Sequence, residues 1–131
     1  MTNVTQNRPL SPHLTVWRPT ITYVMSIVHR ITGVALYAGT LLVAVWLVAA
    51  ASGQENFDWV NGLFGSFLGR LVLIGYTWAL MHHMLGGLRH FVWDTGHGLG
   101  KYVSRKFGWL TLAGSLTLTV LIWIAGYAMR F

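Results

Sequence analysis

The residues with chemical capacity in this chain are few and bunched. "ALMHHMLGGLRHFVWD" at 79–94 carries three histidines, an arginine and an aspartate at the end of an otherwise apolar run. "SIVHRITG" at 26–33 adds a serine, another histidine and another arginine. Ionisable side chains are costly in hydrocarbon, so such groups mark an interior, a cavity or a partner. On a helix, His83 and His90 lie two turns apart on one face, with Gly87 between them and Gly86 beside them. Glycine there lets a neighbouring helix or a flat ligand approach the backbone. His82 points about 100° away from that face.

Two chemistries fit His83. One is a structural imidazole bonded to a neighbouring carbonyl or hydroxyl. The other is an axial ligand to haem iron, with Nε2 on the metal and Nδ1–H donated to a carbonyl one turn earlier, that of Ala79. His82 competes for the same role but lacks the glycine-backed face, and a lipid- or partner-facing structural role suits it better. Arg89, His90 and Asp94 fall at the membrane boundary. There Arg89 either snorkels to water or, with its neighbours, meets haem propionates. If His83 binds haem, the second ligand must sit at similar depth, about 11 Å inside the span. Span one reaches that depth near Leu36 and Tyr37, His29 lies too close to the surface, and span three holds no histidine. The second imidazole is therefore expected from a partner chain.

Ser26 and Arg30 stand at i, i+4, with His29 and Gly33 on adjoining positions. A hydroxyl and a guanidinium at the membrane surface form a donor pair. They suit an acceptor such as a quinone carbonyl, whose reduction builds negative charge on oxygen. The alternative is a serine bonded back to its own helix and an arginine anchored on lipid phosphate.

The elements that must carry these groups are membrane helices. Of 131 residues 54% are apolar and 9% charged, against about a quarter charged in soluble domains. Ile31 to Ala51 holds no charge, and at 1.5 Å per residue it covers a hydrocarbon core of about 30 Å. The pattern predicts one all-α domain over 1–131: an arm at 1–20, then transmembrane helices at about 21–51, 63–92 and 107–129. Pro19 is expected in the first turn of helix one. "SGQENFDWVNG" and "DTGHGLGKYVSRK" read as the two loops. Trp59, Trp93, Trp109 and Tyr127 fall near span ends, as an aromatic belt requires.

Arg8, Arg18, Arg30, Arg89, Lys101, Arg105 and Lys106 gather on one side, with Arg70, Arg130, Glu55 and Asp58 on the other. The positive-inside rule then puts the N-terminus in the cytoplasm and the C-terminus outside. Without a cleavable signal or an Arg/Ser-rich transit segment, the expected location is a bacterial inner membrane, the C-terminus periplasmic. The net charge of +6 follows from this topology and not from binding nucleic acid. The absence of cysteine excludes disulfides, thiolate iron–sulfur ligation and c-type haem attachment.

"RPLSPHL" at 8–14, "SIVHRITG" at 26–33 and "HMLGGLRHFVWD" at 83–94 together resemble the motifs of the larger cytochrome b subunits of succinate dehydrogenase, in order and over the whole length. The resemblance implies half of a heterodimeric helical anchor bundle. Its companions would be a second small anchor subunit, an iron–sulfur subunit and a flavoprotein subunit, the last two holding the iron–sulfur clusters and FAD. Such a complex, a succinate:quinone oxidoreductase, passes electrons from succinate to ubiquinone in the tricarboxylic acid cycle and respiratory chain; the chain alone is not a complete enzyme. Carried over by position, His83 is the haem b ligand, its other ligand coming from the second anchor. His29, Arg30 and His90 lie near the propionates, and Ser26, Arg30 and Asp94 belong to the quinone site. A related fumarate reductase anchor, a non-haem structural membrane subunit and a proton carrier are the competing readings. The last requires ionisable groups across the bilayer, whereas these cluster at one side.

Overall fold

The computed structural model describes residues 17–129, so the arm up to residue 16, the 8–14 motif, Arg8 and Arg130 lie outside the described residues. Four helices follow one another: α1 (Ile21–Ala51), α2 (Gln54–Gly65), α3 (Phe67–Asp94) and α4 (Lys101–Ala128). α1, α3 and α4 are long and apolar enough to cross a membrane. At 31, 28 and 28 residues they measure about 42–46 Å, more than the hydrocarbon core demands. The ends therefore project into the headgroup layers. α3 packs against both α1 and α4, and α1 also touches α4.

Each boundary has a local cause. The Thr20 hydroxyl accepts from the Tyr23 N–H and caps α1. Pro19 thus precedes the cap, and does not occupy the first turn as expected. Gly53, at φ 110°, turns the chain in a conformation L side chains avoid. The expected polar loop after helix one is instead α2. Its Gln54 amide donates to Asp58 at 2.8 Å, and Glu55 sits in the first turn, where a carboxylate complements the helix dipole. Trp46 Nε1 donates to Asn61 Oδ1 at 3.1 Å and fastens α2 to α1. Ser66 breaks the chain between α2 and α3, its hydroxyl accepting from Gly69 N–H. The second span accordingly starts at Phe67, not residue 63, and runs on to Asp94. The second loop is shorter than expected because α4 begins at Lys101, six residues before the apolar run. A helix can extend beyond the hydrocarbon wherever its polar residues reach water, so hydropathy alone shortens it.

The interior has inverted polarity. Among the described residues only Met25, Ala49, Val60 and Ala79 form a buried apolar set, whereas Thr32, His82, Arg89, Thr111, Ser115 and Thr119 are buried polar residues. Thr111, Ser115 and Thr119 each donate to a carbonyl of their own helix, so they close the α4 seam without leaving unpaired hydroxyls. Small residues in the seam and large apolar ones outside suit lipid as solvent, since apolar burial between helices brings no gain there.

Candidate functional site

The histidines of α1 and α3 meet at one level of the bundle. The His29 and His83 rings stack with centroids 4.0 Å apart and planes 5° from parallel. His90 lies 5.3 Å from His29, and its edge meets Trp93 at 5.1 Å. This overturns the expectation that His29 is too shallow. α1 starts at Ile21, which puts His29 about 12 Å inside its end, while His83 lies about 16 Å before the end of α3. Counting depth from Ile31 and Phe91, where hydropathy turns apolar, made the two look farther apart than they are.

Sharing a level does not let His29 and His83 share one metal ion. A ring nitrogen's lone pair lies in the ring plane, so two parallel stacked imidazoles direct theirs side by side and not toward one point between them. Among the described residues no group of three or more histidine, aspartate or glutamate side chains could hold a bare metal ion. Stacked in this way, His29 does not face His83 across a common metal ion.

His83 is half-buried and its two nitrogens are unlike. Nδ1 lies 3.1 Å from the His29 carbonyl oxygen. A carbonyl only accepts, so Nδ1 carries the proton and Nε2 keeps a free lone pair. The partner expected for that proton was the Ala79 carbonyl on the same helix; the observed one belongs to α1. Thr32, buried at 2% exposure, completes the group. Its hydroxyl donates to the same carbonyl at 2.9 Å and lies 3.3 Å from Nδ1. Nothing in its residue type singles out Thr32 in the sequence beyond its place three residues after His29.

Glycines shape the surroundings. A Cβ on Gly33 would come within 3.0 Å of His83 Cε1, and one on Gly86 would strike the His29 ring. Gly87, between His83 and His90 on the outer face, has nothing within 4 Å. The glycine pair therefore divides its work: Gly86 admits helix α1, and Gly87 leaves the flank beside His83 open.

His82 is not lipid- or partner-facing. It is 1% exposed, and its Nδ1 lies 3.2 Å from Ser115 Oγ on α4. The Ser115 hydroxyl already donates to the Leu112 carbonyl at 2.9 Å, so it accepts from His82. Enclosed between α3 and α4, His82 offers no nitrogen to anything outside the chain.

Arg89 also departs from expectation. It neither snorkels nor joins the histidines: it is 5% exposed, on the α4 side of α3, with its guanidinium 4.9 Å over the Trp93 ring. Ser26 is half-buried and Arg30 exposed on α1, one and two turns inside its start, and Asp94 is exposed at the last residue of α3. A cavity of about 690 Å³ lies at the other end of the bundle, lined by Trp46, Arg70, Tyr76 and Trp123 among others. It contains none of the residues selected for chemistry. The arrangement by the histidines can ligate a metal centre at Nε2 of His83 from an open flank. Ser26 and Arg30 can donate hydrogen bonds at the surface near it.

Known proteins are similar to this chain over most of its length. The profile of the family described as succinate dehydrogenase/fumarate reductase transmembrane subunit matches residues 4–122. The chain is 45% identical over 115 residues to the succinate dehydrogenase cytochrome b556 subunit of Paracoccus denitrificans, covering 88% of each chain. It is 33% identical over 117 residues to the same-named subunit of Rickettsia conorii, covering 89% of this chain and 91% of the relative. The mitochondrial cytochrome b560 subunit of Sus scrofa is 39% identical over 99 residues, 74% of this chain and 59% of that one.

Proposed function

Because the chain belongs to the succinate dehydrogenase/fumarate reductase transmembrane-subunit family, we propose that His83 is its axial ligand to haem b and that Ser26 and Arg30 serve quinone reduction. The chain is a cytochrome b membrane anchor of complex II, part of succinate:quinone oxidoreductase. The observation that carries the haem reading is the His83 environment. Nδ1 is held by the His29 carbonyl, Nε2 is free, and Gly87 leaves room beside the ring. The haem, when bound, supplies a one-electron store. The chain's residues supply the rest.

The His29 carbonyl fixes the His83 tautomer, as second-shell acceptors do. Thr32 and the stacked His29 ring hold its orientation. His29, Arg30 and His90, on the α1 and α3 ends beside it, supply the donors and charge for propionates. A second small anchor subunit supplies the other imidazole. Ubiquinone is the substrate. Ser26 and Arg30 lie at the end of the bundle where basic residues gather, which we read as cytoplasmic, within reach of an iron–sulfur subunit that delivers electrons. A hydroxyl and a guanidinium placed there stabilise charge as it develops on the quinone oxygen more than they stabilise the neutral ground state. Asp94, at the same end, completes the polar margin of that site. The N-terminus is then cytoplasmic and the C-terminus periplasmic, in a bacterial inner membrane.

The test is spectral. In the assembled complex His83→Ala should lose the haem b absorption, while His82→Gln, altered inside the α3/α4 seam, should keep it. A normal haem spectrum in His83→Ala would refute the assignment.

A further inference from the structure

Arg89 has no counter-charge within its reach. It is 5% exposed, and among the described residues Nε and Nη1 have no hydrogen-bond partner. The chain has only three acids, Glu55, Asp58 and Asp94. The first two lie on α2, at the opposite end of the bundle. Asp94 follows Arg89 by five residues on the same helix, so it points about 140° away, and it is exposed. An ionised group left unpaired in such surroundings is strongly destabilising. None of these three carboxylates serves as its counter-ion.

The guanidinium also lines a groove. Leu85, Leu88 and Val92 of α3 face Phe107, Leu110 and Thr111 of α4 across a cavity of about 220 Å³, with Arg89 among them. The groove is apolar apart from Arg89 and Thr111, and the Thr111 hydroxyl is engaged by the Phe107 carbonyl at 2.8 Å. Exposed Lys106 stands one turn before Leu110 on the same flank of α4, toward the aqueous end. A cation at headgroup depth above an apolar trough, with a further lysine nearer water, matches an amphiphile with an anionic head and an acyl tail.

We infer that the α3/α4 groove binds one anionic phospholipid, with its phosphate on Arg89 and an acyl chain along Leu85, Leu88 and Leu110. Its position separates this site from the histidine cluster. Leu85, Leu88 and Val92 project about 140–200° around α3 from His83, so a subunit that faces the histidines leaves this flank to lipid. A phosphate oxygen supplies charge-assisted acceptors for the orphaned N–H groups, and the Trp93 ring beneath the guanidinium fixes its plane.

The test uses the assembled complex, purified in detergent and washed until its phospholipid content is constant. Lipid extraction with phosphorus assay, supported by native mass spectrometry, should find about one phospholipid fewer per complex in Arg89→Gln than in wild type. Phosphatidylglycerol added to the washed wild type should raise its thermal midpoint, with Arg89→Gln unresponsive and inorganic phosphate without effect. Leu110→Trp fills the groove while keeping Arg89 and should lose the same lipid; it carries the test if Arg89→Gln does not assemble. Equal phospholipid in wild type and variants overturns the inference. So does full restoration by inorganic phosphate, which would mark an adventitious ion only. Loss of a partner subunit from Arg89→Gln at unchanged lipid content overturns it too, by assigning the guanidinium to a protein carboxylate.

Discussion

Replacing Gly33 by alanine perturbs the haem site through a single methyl group. The added Cβ would lie 3.0 Å from His83 Cε1 and 3.5 Å from Nδ1, whereas carbon atoms pack comfortably at about 3.5–4.0 Å. The imidazole must retreat by about 0.5 Å. The His29 ring stacked at 4.0 Å and the buried Thr32 block sideways escape, so the movement is away from α1. That lengthens the 3.1 Å contact between Nδ1 and the His29 carbonyl to about 3.6 Å, where a hydrogen bond no longer counts as one. Losing a second-shell acceptor costs about 10–100-fold in metal affinity, or about 1.4–2.8 kcal/mol. The helix itself should gain, because alanine is favoured over glycine by about 1 kcal/mol in a helix interior. Haem loss and destabilisation are thereby separated. The assay is the haem-to-protein ratio of the purified complex, together with the rate of haem transfer to a scavenging apoprotein. Transfer should accelerate while subunit assembly is unchanged. A wild-type ratio and transfer rate would show that the Gly33 clearance does not position His83.

Other outcomes follow from the same geometry. Ser26→Ala and Arg30→Leu should each lower succinate:quinone activity at least tenfold, given the about 10²–10³ lost with one oxyanion donor, while succinate-driven reduction of a dye that bypasses the quinone persists; parallel loss of both activities would refute the quinone role. Arg30→Lys should recover only part of the rate, since it keeps the charge without the planar fork. Ser115→Ala leaves the buried His82 Nδ1–H without its acceptor, at a cost of about 1–3 kcal/mol. A lower thermal midpoint with a normal haem spectrum is the expected result, and an unchanged midpoint would show that the seam does not depend on that bond. The chain expressed alone should bind haem poorly, and stable bis-histidine haem in it would contradict a ligand supplied by a partner.

Much of this was legible from residue spacing. The seven-residue step from His83 to His90 and the pair Gly86-Gly87 marked a face that another body must approach, and the structure places a helix on one glycine and open space on the other. Three long apolar helices were equally plain, because hydrocarbon permits few other backbones. What spacing could not convey was lateral order. Which carbonyl takes the His83 proton depends on the rotation of α1 against α3, and only the packed pair reveals that it is His29's. The direction of Arg89 is hidden for the same reason, since its burial is a property of the α3/α4 seam. α2 is not legible in the sequence, because twelve residues with two acids and a glycine-led turn carry too weak a periodicity to outweigh their polarity.

The α1/α3 seam has three places where a ring fills the space a side chain would need: His83 at Gly33, Tyr76 at Gly39 and His29 at Gly86. These are pegs in sockets, cut on both helices and spread over several turns. Shifting α1 along α3 by one turn, about 5.4 Å, would drive each ring onto a residue bearing a Cβ. The pair consequently behaves as a single rigid strut, and a signal that crosses this subunit cannot travel by sliding one of these helices past the other. Any motion that accompanies turnover is then left to segments outside the strut, such as the short α2 and the Gly96–Gly98 turn.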